Sequence, residues 1–255
     1  MTVSKVSDWV LIGMGSVNII CMKWGDKFPP EYVNRLYAMV SRNLTRPFRF
    51  LCFTENGEGI RAEVEIQPLP ELELPPHSPE RGWRKLTVFK KDFGGLSGKA
   101  LFLDLDVVIV GNIDCFFDFE GEFLIAHDKK KPQKIEGNSS VFRFEIGQYS
   151  EVLDYFEKNS ERVKSEVRHE QAYLSREIYN LGQLQYWPDD WVPSFKYGCC
   201  PSWFKSWFQA PAIPAGAKVI LFHGLPNPPE AIKGVSGKWY RHIKPSPWIA
   251  DYWKS

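Results

Sequence analysis

Two aspartates, Asp104 and Asp106, lie two positions apart within the apolar stretch KALFLDLDVVIV, residues 99–110. On a strand, positions i and i+2 face the same side, so both carboxylates would project together. At roughly 6 Å and an effective dielectric constant of about 20, two such charges repel by about 3 kcal/mol. We therefore expect a compensating cation, and Mn²⁺ or Mg²⁺ suits hard carboxylate oxygens. The alternative is a strand end at which both carboxylates are solvated or paired with an arginine.

A histidine follows another apolar run in the same way. His223 comes directly after KVILF, residues 218–222, and Gly224 follows it. The imidazole could complete the coordination of a metal, and the glycine would let a diphosphate approach the backbone closely. A histidine with a purely structural role is the alternative.

These side chains are positioned by alternating strand and helix patterns. Apolar runs predict strands at 17–22, 48–53, 64–69, 99–110, 122–127, 139–144 and 218–222. Periodicity of 3.6 residues predicts helices at 30–44, 83–93, 151–167 and 169–181. This order indicates an α/β fold, a Rossmann-type mixed sheet that is mainly parallel at its start and has helices on both faces. In such sheets, ligands bind at the carboxyl ends of the strands.

Four short segments, in this order, resemble the GT-A glycosyltransferases related to family 8. They are Lys23-Trp24-Gly25, the DxD tripeptide Asp104-Leu105-Asp106, Asn138-Ser139 and His223-Gly224. The resemblance covers residues 17–230 and implies a GT-A-like fold, a nucleotide-sugar donor and a divalent cation. It departs from the family pattern at the third position of Asn-Ser-Gly, which is Ser140 here, and in a late His-Gly segment without Lys-Pro-Trp.

The resemblance also implies roles for individual residues. Asp104, Asp106 and His223 would bind Mn²⁺ together with the nucleotide diphosphate, although His242 is an alternative third ligand. The donor-binding set would be Met22, Lys23, Trp24, Lys85, Asp104, Leu105, Asp106, Asn138, Ser139, His223 and Gly224. Asp128 would contact the donor sugar with Asn138, and Glu170-Gln171 would lie near the anomeric carbon. Core packing for Trp24, a solvated helix face for Lys85 and a helix-dipole role for Glu170 are the alternatives.

The resulting hypothesis is a metal-dependent glycosyltransferase that moves a sugar from a nucleotide sugar, with UDP favoured, to a glycan or glycolipid, with retention. Three alternatives remain open. An inverting transferase would use Asp128 or Glu170 as a general base, a nucleotidyltransferase would use the same metal site, and a non-catalytic module would bind glycans through its aromatic residues.

Composition narrows the class of protein further. The 255 residues include 32 Lys and Arg against 31 Asp and Glu, a net charge of +1 that argues against nucleic-acid binding. Five cysteines without a CxxC pair favour a reducing, cytoplasmic location.

We expect a domain over residues 1–232 and a basic, aromatic tail over 233–255 that packs on the domain or contacts the inner face of a membrane. The lysine-rich residues 129–134 predict a solvated loop or a lid.

Overall fold

A computed structural model of the chain describes residues 16–74, 82–128 and 135–255. The strands are β1 (Val17–Lys23), β2 (Phe48–Thr54), β3 (Glu65–Pro68), β4 (Lys99–Leu103), β5 (Val108–Ile109), β6 (Phe123–His127), β7 (Gly137–Glu145), β8 (Leu184–Tyr186) and β9 (Val219–Ile220). The α-helices are α1 (Pro30–Asn43), α2 (Cys115–Asp118), α3 (Ser150–Glu166), α4 (Glu170–Asn180), α5 (Pro228–Lys233) and α6 (Trp248–Tyr252). Short 3₁₀ helices cover Trp83–Phe89 and Lys205–Trp207, and a π-helical turn covers Phe195–Cys199. The lysine-rich loop predicted at 129–134 lies outside the described residues.

Within these residues, seven strands form one mixed sheet in the order β3-β2-β1-β4-β7-β6-β8. The first four are parallel, whereas β7 pairs antiparallel with both β4 and β6. β5 and β9 form a separate antiparallel pair. The predicted mixed sheet, parallel at its start, is confirmed.

Apolar cores cover both faces of the sheet because the side chains of its strands alternate. In β1, Ile19 and Cys21 belong to one core, and Ile20 and Met22 belong to the other. The first core contains the apolar face of α1, and the second contains buried side chains of the 3₁₀ helix Trp83–Phe89, α3 and α4. The prediction of helices on both faces is therefore confirmed.

Three predicted elements differ from the structure. The segment 83–93 forms a 3₁₀ helix that ends at Phe89 rather than a longer α-helix. The apolar run 99–110 is not one strand, because the chain turns after β4 and continues as β5. The run 218–222 contributes only the two residues of β9, which pair with β5 outside the main sheet. Most of the apolar residues in these segments are buried, so their apolar character marks the core correctly but not the type of element or its pairing partner.

The C-terminal segment packs on the rest of the chain. Ile243, Ile249 and Trp253 are buried in the first core. Arg42 on α1 donates hydrogen bonds to the carbonyl oxygens of Tyr252 and Lys254 at 2.8 and 2.9 Å. In the described part of the chain, no helix has both the length and the apolar character needed to cross a membrane.

Candidate functional site

A cleft of about 410 Å³ opens at the carboxyl ends of β1 and β4. These neighbouring strands run in parallel, with Asn18 opposite Ala100 and Ile20 opposite Phe102, so their ends reach the same edge of the sheet. The residues that line the cleft come from these two ends, from the start of the 3₁₀ helix and from the start of α4. They are Met22, Lys23, Trp24, Lys27, Phe28, Gly82, Lys85, Asp104, Leu105, Asp106 and Glu170.

The two aspartates lie just beyond the end of β4, in a turn rather than in a strand. The backbone N–H of Asp104 still donates to the carbonyl oxygen of Ser140 on β7 at 2.9 Å. The chain then turns, and the N–H of Val107 lies 3.4 Å from the carbonyl oxygen of Asp104. The alternation expected of a continuous strand is therefore not what brings Asp104 and Asp106 together. Both still line one cleft.

Lys85 is the cation that faces Asp104 in the structure. Its ammonium lies 2.7 and 2.8 Å from the two carboxylate oxygens, and 4.0 Å from Oε1 of Glu170. Burial acts to lower the pKa of Lys85, but the charges of Asp104 and Glu170 outweigh it and raise the pKa above its ordinary value. Lys85 is thus a buried, charged lysine at the base of the cleft.

Glu170 is held beside this lysine by a second hydrogen bond. The hydroxyl of Ser139 donates to Oε1 of Glu170 at 2.6 Å, and Lys85 lies 3.3 Å from the carbonyl oxygen of the same serine. Glu170 is also packed against Gly82, where an added Cβ would lie 3.3 Å from Oε2. Ser139, Glu170 and Lys85 therefore form one buried polar cluster beneath Asp104.

Asp106 has much weaker compensation. Its side chain is buried, and desolvation together with the charge of Asp104 raises its pKa to about 7. The positive charges of Lys27 and Lys85 act in the opposite direction without cancelling these effects. A divalent cation bound between Asp104 and Asp106 would relieve this unfavourable charge, so the pair fits a cation that takes its remaining ligands from phosphate and water oxygens.

His223 lines a different cavity, of about 60 Å³, together with Asp128 and Asn138. Its Nε2 lies 3.5 Å from the hydroxyl of Ser194, and its ring stacks on Tyr197 at a centroid distance of 5.8 Å. The described residues contain no group of three His, Cys, Asp or Glu side chains placed to hold a metal ion. The structure thus places Asp104 and Asp106 in one cleft and His223 in another cavity.

Two neighbouring residues of β7 face different surroundings, because successive side chains of a strand point in opposite directions. Ser139 contacts Lys85 and Glu170 beneath the first cleft, whereas Asn138 lines the second. Gly224, which follows His223, has φ of +62°, and the ammonium of Lys196 lies 3.7 Å from the position that an added Cβ would take. Lys196 also donates to the carbonyl oxygen of His223.

Four predicted residues lie outside the linings of both cavities, namely Ser139, Gly224, Gln171 and His242. Gln171 donates from Nε2 to Oε1 of the buried Glu136 at 3.2 Å. His242, the alternative to His223, stacks on Trp207 at 4.3 Å and hydrogen-bonds the carbonyl oxygen of Ser206 at 2.9 Å. The structure therefore offers no support for His242 as part of the same site as Asp104.

Sequence reasoning missed three residues of the main cleft, namely Lys27, Phe28 and Gly82. The ammonium of Lys27 lies 4.4 Å from the ring centroid of Phe28, so a cation and an aromatic ring form one wall. Their place directly after Trp24-Gly25 was the available signal, since a loop that leaves the carboxyl end of a strand borders the ligand site.

No family model matches the sequence, and no curated protein sequence matches it significantly. Solved structures do resemble it. The galactosyltransferase LgtC, in complex with donor and acceptor sugar analogs, matches with a TM-score of 0.55 and 14% identity over 83% of this chain and 88% of that one. The glycosyltransferase GlyE of Streptococcus pneumoniae TIGR4 matches with a TM-score of 0.56 and 13% identity over 84% of this chain and 56% of that one. This chain therefore has the fold of GT-A glycosyltransferases, as predicted, and spans about half the length of GlyE.

Proposed function

We propose that this protein is a glycosyltransferase that moves a sugar from a nucleotide sugar, preferably a UDP-sugar, to a glycan or glycolipid acceptor with retention. The observation that carries the proposal is the main cleft, where three carboxylates, three lysines and two aromatic side chains line one opening at the strand ends. This combination suits a planar base and a diphosphate that binds with a divalent cation. Relation to family 8 is part of the proposal.

Each wall of the cleft would serve one part of the donor. Met22, Lys23 and Trp24 would hold the base and ribose, with Phe28 as a further aromatic surface. Lys27 and Lys85 carry the positive charge that a diphosphate requires. Lys85 would exchange part of its interaction with Asp104 for phosphate oxygens.

The metal would be Mn²⁺ or Mg²⁺, held by Asp104 and Asp106. When bound, such an ion supplies neutralisation of the negative charge that develops on a leaving diphosphate. Lys85 would stabilise the same charge from the protein side. His223 and Gly224 are proposed to contact the donor from the neighbouring cavity, and His223 would serve as the third ligand if its side chain moves towards the two aspartates when the ion and donor bind.

The sugar would lie between the two cavities, where Asp128 and Asn138 could hydrogen-bond to its hydroxyl groups, and Ser139 would contribute from beneath by holding Lys85 and Glu170 in place. The bond from the anomeric carbon to the diphosphate breaks, a bond from the acceptor oxygen to that carbon forms, and the acceptor proton passes to the leaving phosphate oxygen. A retaining reaction of this kind needs no carboxylate base. Gln171, which cannot act as a base, would stabilise positive charge at the anomeric carbon, and Glu170 would anchor Lys85 beside it.

The solved structures support this proposal in two respects. LgtC was crystallised with donor and acceptor sugar analogs, so a protein of this fold accommodates both substrates. A second LgtC structure, with a TM-score of 0.56, is an active-site mutant in which glutamate replaces glutamine. A glutamine therefore belongs to the active site of that protein, and we propose the same role for Gln171.

Calorimetry with UDP, with and without Mn²⁺, tests the proposed metal and donor site. We expect Mn²⁺-dependent binding that is lost in Asp106→Asn, weakened in His223→Ala and unchanged in His242→Ala and in the exposed control Asp251→Asn. Undiminished Mn²⁺-dependent affinity in Asp106→Asn would contradict the metal site. Absence of nucleotide binding in the unsubstituted protein would favour the glycan-binding module.

Incubation with a set of nucleotide sugars should release the nucleoside diphosphate, whereas release of pyrophosphate from a nucleoside triphosphate and a sugar phosphate would identify a nucleotidyltransferase.

NMR of the anomeric proton in the early product tests the stereochemistry. We expect retention, and we expect Gln171→Ala to lower kcat more than it raises KM, by about 1–3 kcal/mol of barrier. An inverted product, together with an inactive Glu170→Gln or Asp128→Asn enzyme, would establish the general-base alternative instead.

A further inference from the structure

The short segment of residues 203–208 turns four aromatic side chains outward. Trp203, Phe204, Trp207 and Phe208 are 68%, 69%, 52% and 72% exposed, while Ser206 between them is buried. The serine hydroxyl donates to the carbonyl oxygen of Trp203 at 2.6 Å and so is satisfied inside the turn. This arrangement is the reverse of the usual one for a surface turn, in which apolar residues face the core.

A second exposed pair of aromatic residues lies next to this segment. The ring of His242 stacks on Trp207, and the ammonium of Lys244 donates to the carbonyl oxygen of Phe208 at 3.2 Å. Trp239 and Tyr240, 96% and 54% exposed, precede this contact by only a few residues. We call Trp203, Phe204, Trp207, Phe208, Trp239 and Tyr240 the aromatic patch. A group of exposed aromatic side chains of this kind is typical of an interaction site.

The stretch of sequence that contains the patch is basic. Residues 191–250 contain seven lysines and arginines but one acidic residue, Glu230, although the whole chain has a net charge of only +1. Glu230 is already engaged, since its Oε2 accepts a hydrogen bond from the N–H of Asn227 in the capping box of α5. Lys205 lies within the patch itself, and Lys238 and Arg241 flank its second half. The positive charge around the patch is therefore not balanced by neighbouring carboxylates in the sequence of this region.

We propose that the aromatic patch docks on an anionic lipid bilayer. Tryptophan, tyrosine and phenylalanine insert at the level of the headgroups, and lysine and arginine beside them attract anionic lipids. A second copy of this chain fits the patch less well, because a two-fold contact would place one basic region against the other. The proposal does not rest on the proposed catalytic activity.

This surface differs from the one that the sequence predicted for membrane contact. The end of the predicted tail packs on the domain. Trp253 is buried against Tyr32, and Arg42 donates hydrogen bonds to the neighbouring carbonyl oxygens. Of the tail aromatic residues, Trp239 and Tyr240 are the ones that belong to the patch. The larger share comes from residues 203–208, which the sequence analysis did not single out.

Co-sedimentation of the full chain with vesicles tests the proposal. We expect binding to vesicles of phosphatidylglycerol and phosphatidylcholine, and about tenfold weaker binding to phosphatidylcholine alone. The double variant Trp203→Ser/Phe204→Ser should bind the anionic vesicles at least about tenfold more weakly. The matched control Tyr179→Ser/Ile66→Ser removes apolar side chains that are 55% and 44% exposed elsewhere, and it should bind as the unsubstituted protein does.

A charge-reversal pair separates the electrostatic contribution. Lys205→Glu should weaken binding to anionic vesicles about tenfold, and the exposed control Lys158→Glu should not. Tryptophan fluorescence should be quenched by brominated lipids in the unsubstituted protein and much less in Trp203→Ser/Phe204→Ser. Equal vesicle binding by patch and control variants would overturn the proposal. The proposal would also be overturned if the unsubstituted protein does not bind vesicles and the patch variants instead abolish another interaction. That interaction would be a concentration-dependent dimer or saturable binding of an uncharged oligosaccharide.

Discussion

Asp106 is a buried carboxyl group whose surroundings oppose its charge, and this has a consequence for stability. Because its pKa is raised to about 7 from 3.8, the folded protein binds a proton there more tightly than the unfolded chain does. Ionisation of this buried carboxyl group therefore lowers the free energy of unfolding. The loss is absent below the pKa of the unfolded chain and grows as pH rises towards 7. In buffer containing EDTA, we expect Asp106→Asn to raise the free energy of unfolding by about 1–3 kcal/mol at pH 8, and by less at pH 5.

Urea denaturation at the two pH values measures this effect, with the exposed Asp251→Asn as the control that should change little at either. A gain for Asp106→Asn that is the same at pH 5 and pH 8, or a loss, would show that the carboxylate is better compensated than the structure indicates. Added Mn²⁺ should stabilise the unsubstituted protein and not the variant.

The sequence predicted most of the charged groups of the cleft but not how they are paired. Asp104 and Asp106 lie in a segment that resembles a family motif, and the resemblance implies a donor-binding role for Lys85. The ion pair between Lys85 and Asp104 was not anticipated, because it depends on where the 3₁₀ helix crosses the end of β4. The position of His223 likewise depends on a tertiary contact, because β9, which precedes it, pairs with β5 and not with a strand of the main sheet.

At the scale of elements, the start of the 3₁₀ helix Trp83–Phe89 holds the polar cluster in place. Gly82 precedes this helix with φ of +86°, and an added Cβ would meet the carboxylate of Glu170. Gly98 has nearly the same conformation, φ of +82°, with nothing within 4 Å of an added Cβ. The two glycines therefore share one backbone requirement and differ in their surroundings.

We expect Gly98→Ala to lower the free energy of unfolding by about 1–2 kcal/mol, the usual penalty for a left-handed alanine. Gly82→Ala should lose about 1 kcal/mol more, because Glu170 must move away from the new methyl group. It should also weaken binding of UDP with Mn²⁺, which Gly98→Ala should leave intact. Urea denaturation and calorimetry on both variants measure the differences, and equal losses would mean that Glu170 moves aside freely.

Elements were predictable where local pattern and tertiary environment agree. The parallel strands β1 and β2 and the helix α1 fall where periodicity places them, within one or two residues. Seven residues are too few to distinguish a period of 3.0 from one of 3.6, so the 3₁₀ helix was read as α-helical. The turn after β4 was hidden because residues on both sides of it are buried, which makes the apolar run continuous.

At the scale of the whole molecule, the predicted division at residue 232 does not coincide with a gap in the core. The first core contains α1 residues such as Leu36 together with Ile243, Ile249 and Trp253 from the C-terminal segment. The sequence predicted a tail that packs on the domain or contacts a membrane, but it could not show which residues of the domain it contacts, because they lie more than 200 positions away. The C-terminal segment is therefore part of the core that covers one face of the sheet, including β1, and it does not extend away from the sheet.

Trp253 and Trp239 allow a direct test of this packing, since both are tryptophans of the same segment. Trp253 is 4% exposed, lies edge-on to Tyr32 at 5.0 Å and has the guanidinium of Arg35 3.9 Å from its ring centroid. Trp239 is 96% exposed. We expect Trp253→Ala to lower the free energy of unfolding by about 3–5 kcal/mol, because it removes a large buried side chain and leaves a cavity. Trp239→Ala should change it by no more than about 0.5 kcal/mol. Urea denaturation of the two variants side by side measures this contrast, and a small effect of both would mean that the C-terminal segment contributes no stability to the domain.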